Sequence, residues 1–207
     1  MARVSQAHLD ARRRQIMDGA AACFARNGFH ATSMQDVLRE VNLSAGAVYR
    51  YFRGKDELIG AIVMEVLDTL GKTFEVAARL SPPPPPDVLL GRAMDDVLRQ
   101  GRGFPHLIVQ VWTETLRNPE LSAVMREGYE KVVEAWVGLV RAYQEAGMMR
   151  ADLPADRVAR TMIATAQGFA AQQALFGPLP VEVLEDGLRA LMSMGAAQAG
   201  PAASDGA

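Results

Sequence analysis

Apolar side chains recur at three- and four-residue spacing along most of the chain, which is the pattern of amphipathic helices. The first such run places Ile16, Ala20 and Phe24 on one face, and Gly28 follows where a left-handed residue would end the helix. Runs of β-branched residues longer than two are rare, so signals for strands are scarce. The pattern predicts an all-α protein.

Residues 32–57 carry the densest local signals. A capping box of Thr32 and Gln35 predicts the start of one short helix, and Asn42 predicts its end. Ser44 then suits the cap of a second short helix. Its outward residues are small at the N-terminal end and aromatic or basic further on, which favours insertion into the major groove of DNA.

Breaks in the pattern divide the chain into domains. We predict a three-helix head at 1–54, a six-helix body at 55–195 and a disordered tail at 196–207. The body helices are expected to start near residues 55, 87, 104, 119, 154 and 180. Five consecutive prolines, Pro82–Pro86, predict an extended connector between two helices; the alternative is a ligand for a proline-binding domain.

Composition supports a globular protein with an uneven charge distribution. The chain has 207 residues, of which 49% are hydrophobic and 22% charged. Residues 1–57 hold nine Lys or Arg against six Asp or Glu, whereas the remainder holds thirteen against eighteen. A basic head on an acidic body fits a nucleic-acid-binding module joined to a domain of another kind. We expect a cytoplasmic protein, since no signal peptide or membrane span is evident.

Catalytic and metal-binding motifs are missing from the sequence. The three histidines, His8, His30 and His106, are scattered, and neither a His-Glu-x-x-His nor a Gly-x-Ser-x-Gly motif occurs. The single cysteine, Cys23, lies on an apolar helix face, where a buried thiol is expected. We therefore expect no enzyme activity, no cofactor and no metal.

The residues around the two short helices resemble a known family. Thr32-Ser33, Leu43–Phe52 and Lys55–Leu58 look like the helix-turn-helix of TetR/AcrR-type transcriptional regulators. The resemblance runs without a gap from about Arg12 to Leu58, and beyond that it covers only the helical architecture. It implies a DNA-binding head on a body that binds ligands and dimerises.

The resemblance implies that the second short helix enters the major groove and that neighbouring residues contact phosphates. The DNA-binding candidates are Thr32, Ser33, Ser44, Ala45, Gly46, Ala47, Tyr49, Arg50, Tyr51 and Lys55. The base-reading turn, Ala45–Ala47, departs from the usual pattern because it has no bidentate donor. The candidates that remain for base discrimination are Arg50, Gln35, contacts with thymine methyl groups and the shape of the DNA.

The resemblance also implies a homodimer that a small molecule releases from a palindromic operator in double-stranded DNA. Candidate walls of a largely hydrophobic ligand site are Met64, Met94, Phe104, Trp112, Trp136, Tyr143, Met162, Gln167 and Phe169. Candidates for the dimer interface are Leu175, Phe176, Leu184, Leu188 and Leu191. Glu114 either faces a cationic ligand or is a surface charge. A helical carrier of apolar molecules that does not bind DNA is the alternative function.

Overall fold

A computed structural model describes residues 6–99 and 104–193, and within these ranges the chain forms nine α-helices and no strand. The helices are α1 (Gln6–Asn27), α2 (Met34–Val41), α3 (Ala45–Tyr49), α4 (Lys55–Ala78), α5 (Pro86–Arg99), α6 (Phe104–Thr115), α7 (Pro119–Glu145), α8 (Ala155–Phe176) and α9 (Glu182–Ser193). The predicted all-α class is confirmed. The predicted tail at 196–207 lies outside the described residues.

The start of α2 lies one residue later than the predicted capping box. Ser33 is the N-cap: its hydroxyl accepts a hydrogen bond from the Asp36 amide at 3.2 Å, and the Asp36 carboxylate accepts one from the Ser33 amide at 2.8 Å. The Ser33 hydroxyl also donates to this carboxylate at 2.6 Å, and that bond together with the one from the Ser33 amide holds the pKa of Asp36 below its usual range. The predicted cap, Thr32 with Gln35, is wrong because Thr32 is buried and its hydroxyl donates to the Gly28 carbonyl at 2.8 Å.

The turn between α2 and α3 forms as the sequence predicts. Asn42 adopts a left-handed conformation with φ of 52°, and the Ser44 hydroxyl accepts a hydrogen bond from the Ala47 amide at 3.3 Å. Val48 and Phe52 are buried beneath α3. The cap and these two apolar anchors fix the helix against the head and leave its other face exposed.

A head core of apolar side chains holds α1 to α3 together. Phe24, Val48 and Phe52 are buried in it, and α4 contributes Ile62. Leu107 of α6 also belongs to this core, so helices of the body reach into it. The boundary at residue 54 remains a prediction, and the packing makes the head continuous with α4 and α6.

A body core lies between α4, α5, α7, α8 and α9. Trp136, Leu139 and Tyr143 of α7 are buried at its centre. Helix α4 has 24 residues, which corresponds to a length of about 36 Å. Leu67, near its middle, packs against both cores. A single helix therefore joins the head to the body.

Four of the five prolines, Pro82–Pro85, form a loop packed on the body, and Pro86 is the first residue of α5. Pro83 and Pro86 are buried, and the Tyr143 hydroxyl donates a hydrogen bond to the Pro84 carbonyl at 2.7 Å. Burial raises the pKa of Tyr143 far above its usual value, so the phenol stays protonated as the donor. The connector interpretation is confirmed for Pro82–Pro85 and is wrong for Pro86. Among the described residues, no helix is long and apolar enough to cross a membrane.

Candidate DNA interface and ligand cavity

The outer face of α3 is open to solvent. Ala45, Gly46, Tyr49 and Arg50 are exposed, with Tyr49 at 48% of its full area, and Ala47 is half-buried. A tyrosine side chain has an apolar ring and a polar hydroxyl, so at this exposure it can contact another molecule. The small residues and the aromatic one share a surface that no described residue covers.

Basic side chains next to this face are free to meet an anion. Arg50 and Arg53 are exposed, and their guanidinium groups have no partner within the described residues. Elsewhere in the head, Arg26 pairs with Glu40 between α1 and α2. Ala45, Gly46, Ala47, Tyr49 and Arg50, together with Arg53, are called the α3 surface. Its combination of exposed Tyr and Arg suits phosphate and base contacts.

Three further candidates for phosphate contacts carry a hydroxyl group and also stabilise the head. The exposed Ser33 and Ser44 hydroxyls each cap a helix. Tyr51 is half-buried and packs against the head core. Their proposed phosphate contacts stay predictions, and each side chain also stabilises the head without DNA.

Two predicted phosphate contacts, Thr32 and Lys55, need correction. Thr32 is buried, so its hydroxyl does not reach a phosphate. The Lys55 ammonium donates to the carbonyls of Phe29 at 2.9 Å, His30 at 3.3 Å and Thr32 at 3.3 Å. An ammonium group has three donors, so all of them are used within the chain. Lys55 also lies 4.6 Å from the centre of the Phe29 ring. It holds the loop between α1 and α2.

The same loop is bonded to α6. The Phe29 amide donates to the Gln110 side chain at 3.0 Å, and His30 Nε2 lies 2.9 Å from the Glu114 carboxylate. Glu114 is buried and faces the head, so neither a ligand-facing nor a surface position is correct for it. These four residues and Lys55 are called the head–body junction. Gln110 and Glu114, two polar residues four apart in a mainly apolar helix, were the only sign of this junction in the sequence. Their partners could not be identified from it, because they lie about eighty residues away.

A cavity of about 160 Å³ lies in the body, with walls supplied by α4, α5, α6, α7 and α8. Four of the predicted wall residues line it, namely Met94, Trp112, Trp136 and Gln167. Sequence reasoning did not single out Tyr129, which also lines it. Ile62 and Leu107 line the cavity and belong to the head core as well, so the cavity adjoins the packing of the head.

Four other predicted wall residues do not line this cavity. Tyr143, Met162 and Phe169 are buried in the body core, and Met64 is half-buried elsewhere on α4. Periodicity identified their apolar faces but did not distinguish core from cavity. The side chain of Phe104 lies outside the described residues.

The predicted dimer residues separate into two groups. Leu175, Phe176 and Leu191 are 62%, 82% and 66% exposed, respectively. Leu184 and Leu188 are each 6% exposed and pack in the body core, so their assignment to an interface is wrong. An i, i+4 pair of leucines on α9 is equally suited to a dimer interface and to the core of its own chain. The packing of α5 against α9 places this pair in the core.

An exposed short helix held on a three-helix head by a capped turn defines a helix-turn-helix DNA-binding protein. The family profile described as "Bacterial regulatory proteins, tetR family" matches residues 16–62. The profile described as "BetI-type transcriptional repressor, C-terminal" matches residues 92–196. The chain belongs to the TetR family of bacterial transcriptional regulators.

Relatives with names agree with this assignment. The transcriptional repressor Rv1474c of Mycobacterium tuberculosis is 32% identical over 158 residues, which cover 75% of this chain and 79% of the relative. The structure of GusR from Salmonella enterica superposes with a TM-score of 0.73 at 25% identity, covering 93% of this chain and 97% of GusR. FadR of Bacillus subtilis, solved with stearoyl-CoA, has a TM-score of 0.66 at 16% identity and covers 88% of this chain and 98% of FadR.

These relatives establish the class of function. The chain is a DNA-binding regulator of transcription, and the curated relatives it matches are named as regulators or repressors. A carrier whose head merely packs, the alternative from the sequence, has no support among them.

Proposed function

We propose that the protein is a dimeric repressor that binds a palindromic operator through its α3 surface and is released by a small hydrophobic ligand. The observation that carries the proposal is the α3 surface itself. Tyr49 and Arg50 project from a capped helix, and Arg53 adds a second free guanidinium group nearby. Contacts of this kind supply affinity through phosphates and sequence preference through base edges.

Base reading on this surface would rely on few hydrogen bonds. Ala45 and Ala47 offer methyl groups, which suit contact with thymine methyls, and Arg50 is the side chain with bidentate capacity. Gln35 is exposed at the start of α2 and is a second candidate for a base contact. Shape and deformability of the operator would supply the remaining specificity.

Dimerisation would use exposed faces of α8 and α9. Leu175, Phe176 and Leu191 are exposed large apolar side chains, which a monomer would leave in water. Gly168 and Gly187, on α8 and α9, are also exposed, and a Cβ at either would meet nothing within 4 Å from another part of the described chain. Small residues beside large apolar ones favour close helix packing between two copies. Paired heads would then read half-sites ~34–36 Å apart.

Ligand release would act through helices that the cavity and the head share. Ile62 and Leu107 line the cavity and pack in the head core, while Gln110 and Glu114 of α6 bond to the loop before α2. A ligand that shifts α4 or α6 would therefore move the head. Coupling of ~1–3 kcal/mol is enough to release an operator.

The apolar cavity and the shared fold of FadR, solved with stearoyl-CoA, favour a largely hydrophobic ligand. A regulator of transcription acts where its DNA is, so we place the protein in the cytoplasm.

Binding to a duplex of random sequence tests the role of the α3 surface without knowledge of the operator. Arg50→Ala should lower affinity by roughly tenfold at low salt and reduce the salt slope by about 1, because on DNA of random sequence the guanidinium group pairs with a phosphate rather than with an operator base. Arg92→Ala is the matched control, since Arg92 is exposed on α5 in the body. Equal affinity and equal slope for wild type and Arg50→Ala would exclude the α3 surface as the DNA interface.

A further inference from the structure

The residues that line the cavity are apolar apart from four side chains with an uncharged polar group. These are Trp112 and Trp136, each with an indole N–H, Tyr129 with a hydroxyl and Gln167 with an amide. Among the described residues that line the cavity, none carries a charge. A ligand that enters therefore meets no ion that would compensate a buried charge.

None of these four polar groups makes a hydrogen bond within the described part of the chain. Gln173, six residues further along α8 than Gln167, behaves differently: its amide donates to the Leu179 carbonyl at 2.7 Å and accepts from the Leu179 amide at 2.8 Å. The amide of Gln167 is half-buried and has no such partner, so its donors and its acceptor are free to bond to a ligand.

The size and the walls of the cavity indicate one aromatic ring. The volume of about 160 Å³ is close to that of a cavity known to hold benzene, ~150 Å³. Phe74 and Trp136 form one wall, with ring centres 4.4 Å apart and planes inclined at 44°. Trp112 and Tyr129 add two further aromatic surfaces. Aromatic walls favour offset or edge contacts with a flat ligand.

We propose that the cavity binds an uncharged, single-ring aromatic compound of roughly six to ten non-hydrogen atoms whose hydroxyl or amide group hydrogen-bonds to Gln167. This inference rests on the proposed ligand-responsive function, because it names the class of molecule that would act as inducer. An acid or an amine of the same size is excluded by charge. Either would have to become neutral to enter, which at pH 7 weakens binding by roughly 100-fold or more.

Tryptophan fluorescence of the full-length protein tests the proposal without DNA. The chain has two tryptophans, and both line the cavity, so quenching reports its occupancy. The probes are 3-phenylpropan-1-ol, 3-phenylpropanoate, 3-phenylpropylammonium and propylbenzene. We expect the alcohol to bind roughly 100-fold more tightly than either ion. Acid or amine affinity within fivefold of the alcohol would overturn the proposal, and so would the absence of quenching by all four probes.

Substitutions at Gln167 test the hydrogen bond. Gln167→Leu should lower the affinity for the alcohol by about fivefold to tenfold and leave that for propylbenzene unchanged. Gln167→Glu should reverse the preference so that 3-phenylpropylammonium binds more tightly than the alcohol, since the cavity then contains an anion. Gln172→Glu is the matched control, because Gln172 is exposed on the same helix outside the cavity. Equal losses for the alcohol and propylbenzene in Gln167→Leu, or no gain for the amine in Gln167→Glu, would overturn the role of Gln167.

DNA binding, measured separately, distinguishes this inference from the proposed function. Selective binding of the alcohol with no change in DNA affinity would support the ligand class and contradict ligand release. Binding of DNA by a protein that ignores all four probes would support the regulator and overturn the inference.

Discussion

Replacing Lys55 by methionine removes an ammonium group and keeps most of the stem that packs on the Phe29 ring. The substitution deletes three hydrogen bonds, of 2.9, 3.3 and 3.3 Å, to carbonyl oxygens of the loop between α1 and α2. Hydrogen bonds to a charged group contribute ~1.5–3 kcal/mol each. Because these three share one half-buried ammonium, we expect the free energy of unfolding of the head to fall by a total of ~2–3 kcal/mol.

Two measurements on Lys55→Met separate a structural role from a phosphate contact. Hydrogen–deuterium exchange over residues 28–37 should be faster, because the loop loses its anchor. The affinity for duplex DNA should fall uniformly with no change in its salt slope, since no phosphate contact is removed. Lys72→Met is the matched control, because Lys72 is exposed on α4 beyond the head. Exchange equal to that of wild type, together with a salt slope lower by about 1, would refute the reasoning and return Lys55 to the DNA interface.

Three further predictions concern the body and the junction. Tyr143→Phe should lower the free energy of unfolding by ~1–2 kcal/mol, because the Pro84 carbonyl loses its donor; urea unfolding of wild type and variant measures this, and equal stability would contradict it. Leu191→Glu should convert a dimer to a monomer in light scattering, because a charge would enter the proposed interface; a dimer of undiminished stability would place the interface elsewhere. Glu114→Gln should weaken ligand-induced release of DNA without changing quenching by 3-phenylpropan-1-ol, because α6 loses the carboxylate that lies 2.9 Å from His30 Nε2; unchanged release would exclude this contact from the coupling.

Signals within a few residues predicted much of the fold. The spacing of Ile16, Ala20 and Phe24 identified α1, and Gly28 ends it with φ of 85°. Ser44 caps α3 as expected. Caps, terminators and helical periodicity are determined by neighbours in the sequence, so they can be inferred without the tertiary structure.

Contacts between distant residues could not be inferred in this way. From the sequence, a lysine at the start of α4 is compatible with a phosphate contact. The structure shows instead that Lys55 bonds to carbonyls of a loop, including that of Phe29, which lies 26 residues earlier. Leu188 and Leu191 are both apolar positions of α9, yet one is buried and the other is exposed. Periodicity identifies an apolar face, but it does not determine which neighbour covers that face.

The cavity illustrates the same limit. Trp112 and Trp136 line it, while Tyr143, a comparable aromatic residue on α7, is fully buried and bonded to a loop carbonyl. By residue type alone, all three were equally good candidates for the cavity wall. The difference lies in how α7 faces α4, α5 and α8, which depends on the whole helical assembly.

Selection of pooled random duplex DNA by the purified protein tests the central claim most directly. The retained DNA would be sequenced after selection at about 50 mM and about 200 mM salt. We predict enrichment of a palindrome whose half-sites are about one helical turn apart, with affinity that falls steeply as salt rises. No enriched sequence at either salt concentration, or a single half-site bound by one chain, would contradict a dimeric regulator that reads DNA through the α3 surface.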